Sequence, residues 1–328
     1  MFKELKKLLD KVKPRNALLL CHQNADPDAI LSAFAFAKLL RKKFSKIKTE
    51  LAAESQNKVS KKFTDYLNIS LKSKISSMNF DIVFLLDTNN LAQLGALKEM
   101  VESLKAPIVI IDHHTPHPQA HDIATLQLLD ESCSSTAEII YRLYREAGAK
   151  ITSTEAFALL AAMVYDSRRF LIAGKDTFLT VVQLTSHGAN YSKVISLLQT
   201  PLDNSERIAR FKAVKRMKLH KFDDWIVATS KVSAYEASAC RALIDIGADI
   251  AIVGAEHEKI VRISGRARPI IYKRTGLHLG KHVMIPVGPI IGGEGGGHPT
   301  AAGCNGTKNL KKGMSKIIQL IKNHLTRS

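Results

Sequence analysis

Three short runs of almost unbroken apolar residues stand out in the first half of the chain: NALLLCH (16–22), DIVFLLD (81–87) and APIVIID (106–112). Runs of this length without polar alternation read as strands buried on both faces of a parallel sheet. Between and after them the period changes to that of a helix. Asp28 opens the run AILSAFAFAKLLRKKF, which sets Leu31, Phe34 and Ala35 on one face and ends in a basic tail suited to a helix C-terminus. CSSTAEIIYRLYREAG (133–148) combines a Ser/Thr cap, a Glu close behind it, an apolar stripe and a terminal Gly, a complete helix; TEAFALLAAMVYDS (154–167) follows as another. Strands alternating with helices predict an α/β fold with a parallel sheet.

Around 188–206 the pattern loosens into GANYSKVISLLQTPLDNSE, whose Gly188, Pro201 and Asp-Asn-Ser cluster mark a break. A linker is expected over 191–206, between a first domain of 1–190 and a smaller, mixed α/β domain of 207–328. The second half reads as a basic helix (ERIARFKAVKRMKLHKF), an apolar run (WIVATSKV), a helix (YEASACRALIDIG) and a hairpin (ADIAIVGAEHEKIVRISGRAR). A glycine-dense loop, GGEGGGHPTAAG (292–303), then precedes a closing helix, LKKGMSKIIQLIKNHL. A length of 328 residues suits two domains, each with its own core.

Charge adds a direction. The formal net charge is +18, and residues 191–328 carry most of it, with 23 Lys and Arg against 10 Asp and Glu; residues 1–190 have 25 against 20. Such a balance favours polyanionic partners, although a basic surface also serves solubility alone. No apolar stretch approaches the ~20 residues of a membrane span, and MFKELKKLLDKVKPR reads as an amphipathic helix, so a cytoplasmic protein is expected. The four cysteines, Cys21, Cys133, Cys240 and Cys304, form no C-x-x-C pair and read as core residues of a reducing compartment.

The candidate chemistry sits at the strand ends, where open α/β sheets bind ligands. The first strand delivers His22 and Asp26-Pro27-Asp28, the second Asp87, and the third Asp112-His113-His114; Asp166 follows an apolar helix. Converging carboxylates repel one another unless cations lie among them, and imidazole with carboxylate suits Mn²⁺, Mg²⁺, Fe²⁺ or Zn²⁺. The lack of thiolates favours manganese or magnesium. Pro27 biases Asp26 towards an extended backbone, so that Asp26 and Asp28 can serve different metals. Ser134, Ser135 and Thr136 suit either helix capping or phosphate binding, and His117 and His121 are read as loop residues.

These residues resemble the DHH phosphoesterases, and the DHHA1 subgroup in particular. HQNADPDA fits the first motif, Asp87 in LLDT the second, IDHH the third, Asp166 in VYDS the fourth, and GGGHPTAAG the glycine-rich signature of the C-terminal domain. The motifs come in family order over nearly the whole chain. The resemblance implies an N-terminal DHH domain and a smaller DHHA1 domain, with two divalent ions, Mn²⁺ foremost. His22 and Asp26 would bind one ion, Asp28 and His113 the other, with Asp87 bridging and Asp166 completing the second site. His114 would lie beside the scissile phosphate, as a contact or proton donor, and Asp112 would orient a histidine. In the second domain Gly295, Gly296 and Gly297 would form an anion-binding concavity with His298, and Ser264 and Arg266 would contact substrate. Many relatives carry Thr-Gly after the fourth-motif Asp, where this chain has Ser167-Arg168-Arg169.

The implied activity is hydrolysis of short single-stranded RNA or DNA, or of nucleotides such as adenosine 3′,5′-bisphosphate. Compactness motivates this choice over a RecJ-like single-strand exonuclease, which usually carries further modules. A non-catalytic nucleic-acid-binding protein ranks behind both, and pyrophosphatase activity ranks low. RNA or DNA preference and a possible homodimer stay open.

Overall fold

The three apolar runs form neighbouring parallel strands. In the computed structural model, which describes residues 1–75, 79–199 and 202–326, the chain divides into two compact units, Met1–Thr200 and Pro201–Ser328. The first holds β1 (Asn16–Cys21), β2 (Lys48–Ala52), β3 (Ile82–Leu86), β4 (Ile108–Asp112) and β5 (Leu126–Leu129). All are parallel, in the order β2-β1-β3-β4-β5. The order reverses between β1 and β3, which makes their carboxyl ends the place where a crevice opens. β2 and β5 escaped the sequence reading because KTELA and LQLL are edge strands with half-exposed positions, so they lack the apolar runs of the centre.

Alternate residues of β1 feed two cores. Ala17, Leu19 and Cys21 join the core built with the helices Pro27–Lys43, Thr136–Glu146 and Ser153–Asp166, whereas Leu18 and Leu20 join Leu94 and Val101 on the other face. The Pro27–Lys43 helix is buried nearly all round, not along one stripe, because it is packed against both the sheet and the Ser153–Asp166 helix. Phe36 at its middle is fully buried and meets Phe84 of β3 edge-on at 4.9 Å.

The second unit is a mixed sheet of β6 (Lys218–Phe222), β7 (Trp225–Val232), β8 (Ile250–His257), β9 (Ile260–Ala267), β10 (Glu294–Gly297) and β11 (Ala301–Gly306). Their order is β10-β11-β9-β8-β7-β6, with only β7 and β8 parallel. The helix Leu310–Leu325 buries Leu310, Ile317 and Ile321 against one face, and Glu236–Asp245 buries Ala239, Cys240 and Leu243 against the other.

Three expectations change. The basic helix stops at Lys215, and KLHKF is β6, turned back onto β7 through Asp223 in the left-handed region (φ 50°). Within the expected linker, Tyr191–Leu198 is a helix of the first unit whose Val194 and Leu198 are buried; Thr200 and Pro201 lie outside the described residues. The glycine-dense stretch is a hairpin of β10 and β11, not a loop. All four cysteines are buried and free, and no helix among the described residues is long and apolar enough to cross a membrane. Truncating Phe36 to Ala should remove about 3–5 kcal/mol of stability, read as a lowered denaturant midpoint for the first unit.

Candidate metal centre

The carboxyl ends of β1, β3 and β4, with the end of the Ser153–Asp166 helix, bring the six predicted ligands together. His22 follows β1 directly. Its Nδ1 is 2.8 Å from the Gln23 carbonyl, and Nε2 is 3.9 Å from both Asp26 Oδ1 and Asp87 Oδ2. His113 repeats the device: Nδ1 is 3.2 Å from the Cys133 carbonyl, and Nε2 is 3.1 Å from Asp166 Oδ2 and 3.6 Å from Asp87 Oδ1. A carbonyl only accepts, so both rings carry hydrogen on Nδ1 and turn Nε2 towards the acids. His113 Nε2 is buried and makes no hydrogen bond of proper geometry.

Local backbone aims each acid. Pro27 is the first residue of its helix, and Asp26 before it is extended (φ −90°, ψ 177°), capping the helix through Ala29 N at 3.1 Å. Asp28, one residue on, is fully buried; its two oxygens accept from Thr136 N (2.7 Å), Ala137 N (3.1 Å) and Ser32 Oγ (3.1 Å). The first amides of the Thr136–Glu146 helix are therefore spent on a carboxylate, not left open for phosphate as Ser134–Thr136 allowed. Asp87 closes β3 with φ 59° and accepts Thr136 Oγ1 at 2.8 Å. His22, Asp26 and Asp87 form one cluster, and Asp28, His113 and Asp166 another; in each, one potential ligand atom per residue lies within 4.8 Å of the others.

Electrostatics makes these clusters costly without a cation. Burial, then the charges of Asp26 and Asp112, push the Asp87 carboxyl up to about 8. Burial and the charges of Asp87 and Asp166 likewise raise Asp28. Burial opposes charging of His22, but its bonds to Asp26 and Gln23 and the nearby acids outweigh this and push it up to about 9. Crowded acids thus hold protons at positions where a divalent ion would replace them. The residues fit such ions: two imidazole Nε2 atoms, one orphaned, and four carboxylates.

His114 stands apart. Its side chain is 57% exposed, Asp112 Oδ1 is 2.8 Å from its Nδ1, and that bond raises it to about 9 against the opposing effect of burial. Buried Asn89, which the sequence reading missed, donates to Asp112 Oδ2 at 2.8 Å and accepts from His117 N at 3.1 Å. His22, Asp26, Asp87, His114 and Asp166 line a cleft of about 440 Å³, and His117, read from the sequence as a loop residue, lines it too.

In the second unit, Ser264 pairs across β11 Gly303 with Gly296, and Arg266 pairs with Ala301, whose carbonyl accepts His298 N at 2.8 Å. Paired residues share a face, so Ser264, Arg266 and Gly296 lie on one side of the sheet. The concavity of successive amides expected for Gly295–Gly297 is absent, because an antiparallel strand turns alternate amides into its ladder. The glycines are needed for contact: a Cβ on Gly295 would come within 2.0 Å of the Met284 carbonyl, whereas one on Gly296 would meet nothing within 4 Å.

Residues 16–163 match the DHH family, N-terminal domain, and residues 227–325 match the DHHA1 domain. An uncharacterised protein of Methanocaldococcus jannaschii is 34% identical over 96% of this chain and 94% of its own length. The chain belongs to the DHH phosphoesterase family. Two further relatives carry activities in their names. The cyclic-di-AMP phosphodiesterase GdpP of Geobacillus thermodenitrificans is 27% identical over 62% of this chain and 31% of that protein. A probable manganese-dependent inorganic pyrophosphatase of an Exiguobacterium species is 30% identical over 47% of this chain and 48% of that protein.

This DHH protein also stores backbone strain beside Asp166. Arg168, Arg169 and Phe170 are consecutive left-handed residues (φ 53°, 58° and 69°), fastened by Phe170 N donating to Ser167 Oγ at 3.0 Å. The departure from Thr-Gly therefore puts arginine where glycine would be unstrained, at about 1–2 kcal/mol per residue. Arg168→Gly should gain up to about 1 kcal/mol, a rise of roughly 2–4 °C in the melting temperature of a unit this size. In the other unit, Gly295→Ala should destabilise by about 3 kcal/mol through overpacking and Gly296→Ala by less than about 0.5 kcal/mol, compared by chemical denaturation.

Proposed function

We propose that this DHH phosphoesterase hydrolyses phosphate esters of short single-stranded oligonucleotides or of nucleotides such as adenosine 3′,5′-bisphosphate. The observation that carries the reading is the meeting of two histidine–carboxylate clusters around Asp87 beside the half-free imidazole of His114. His22, Asp26 and Asp87 would hold one divalent ion, and Asp28, Asp87, His113 and Asp166 a second, with Mn²⁺ preferred for this thiolate-free donor set. Two such ions supply an activated water and offset charge on the phosphate oxygens.

The chain's own residues account for the remaining chemistry. As water oxygen bonds to phosphorus and the ester P–O bond breaks, the leaving oxygen needs a proton. His114 is suited to give it, because Asp112 holds Nδ1 and stabilises the imidazolium, leaving Nε2 to donate. Asn89 fixes Asp112 from behind. Ser264, Arg266 and His298, with the open face at Gly296, would form a substrate-binding face of the second unit, where a guanidinium suits bidentate phosphate contact.

A cleft of about 440 Å³ suits a nucleotide-sized body, and the similarity to a cyclic-dinucleotide phosphodiesterase supports a nucleotide ester. The pyrophosphatase similarity covers 47% of this chain, short of a match that would include both units in full.

The test is hydrolysis of 5′-labelled RNA and DNA of two to about thirty nucleotides with Mn²⁺, alongside adenosine 3′,5′-bisphosphate and pyrophosphate. The expected outcome is cleavage strongest for the shortest RNAs. Asp87→Ala should lower it by more than about 100-fold, and His114→Ala by about 10²–10⁴-fold in kcat. Processive digestion of long strands would favour the exonuclease reading, and activity on pyrophosphate alone would replace both.

A further inference from the structure

The second unit has a basic pocket far from its glycine hairpin. It lies at the β6–β7 edge of the sheet, opposite the β10 edge, and has a volume of about 560 Å³. Thr229 lies directly across from Lys218 and one residue past the core residue Ala228, which places it on the face covered by the Leu310–Leu325 helix, with Val227. Ser264 and Arg266 alternate with Ile263 and Val261 of that same core, so they are on the other face. Position in the sheet thus separates the pocket from the substrate face proposed above by both edge and side.

Its chemistry is one-sided. Arg216, Lys218, Lys231 and Lys311 stand around it, all exposed, and none has an acidic partner among the described residues. No Asp or Glu occurs in 207–222, in 225–232 or anywhere in 295–328, the segments that supply the whole lining. Met314 and Ile318 form an apolar wall, and Thr229 hydroxyl is 3.2 Å from His220 Nε2. Burial and the neighbouring Lys218 hold His220 below its usual range, as a site lacking its counter-charge would. Exposed Lys215 and Lys312, next in the chain to Arg216 and Lys311, extend the positive charge beyond the pocket.

We propose that this pocket is a second nucleic-acid subsite, which takes one nucleotide of a single strand with its base on Met314 and Ile318 and its phosphates on the four cations. An apolar wall under a cationic rim matches a base joined to phosphate, and the flanking lysines favour a strand over a lone nucleotide. Edge lysines can also serve only to keep β6 from pairing with another chain, and the experiment separates the two roles.

Binding of a fluorescein-labelled 12-nucleotide RNA is measured by anisotropy on the full chain in EDTA, so that turnover plays no part, across a series of salt concentrations. Lys218→Glu/Lys231→Glu should weaken binding at least tenfold at low salt and reduce the slope of log affinity against log salt by about 2. Lys3→Glu/Lys7→Glu, an equal charge change on the first helix, should leave affinity within about twofold. The His220 ring resonances of the unaltered protein should move on titration with RNA. Unchanged affinity in the pocket variant, an equal loss in the control, a motionless His220, or capture of AMP or anionic vesicles without strand binding would each overturn the proposal. Because no hydrolysis is read, failure of the catalytic reading leaves this result standing, and the reverse holds as well.

Discussion

The constraint on which the first unit turns is the burial of Asp87 among other acids. It is 5% exposed at the end of the central strand β3, with Asp26, Asp28, Asp112 and Asp166 acting on it or on its neighbours. Water cannot screen charges placed this way, so the surrounding fold must supply compensation. The Thr136 hydroxyl donates to Asp87, the amides of Thr136 and Ala137 donate to Asp28, and two imidazoles present Nε2 to the carboxylates. One helix N-terminus and two histidines therefore neutralise part of the charge, and the rest is what a pair of divalent ions would take up.

This arrangement explains which features could be read from the sequence. Strand ends carrying His22, Asp87 and Asp112-His113-His114 were legible because central parallel strands are continuous apolar runs, and a polar residue closing such a run marks the crevice. Asn89 and His117 were not legible, since their place depends on how the chain folds back after β3 and β4 to meet Asp112. The use of the Thr136 and Ala137 amides was hidden for the same reason: a capping sequence shows that donors exist but not which acceptor, 108 residues away, will claim them.

The second unit was harder to read. GGEGGGHPTAAG lacks the β-branched residues that announce strands, yet it forms β10 and β11 because close approach to Met284 outweighs β-propensity there. KLHKF reads as the tail of a basic helix until β7 is available to pair with it. In both cases tertiary contact overrides local preference, at the two ends of one sheet.

Those two ends also divide the chemistry of the sheet. The β10–β11–β9 end presents Gly296, Ser264 and Arg266 on one face, with the backbone close-packed behind them. The pocket at the β6–β7 end presents, on the other, an apolar wall and cations with no acidic partner among the described residues. A mixed sheet permits this because each face needs a covering helix only over its centre: Glu236–Asp245 packs on β7, β8 and β9 and Leu310–Leu325 on β8 and β9, which leaves space at Gly296 at one corner and the pocket at the opposite one. Part of the excess positive charge of the second half is a group of cations at one of those corners, where field and shape act together.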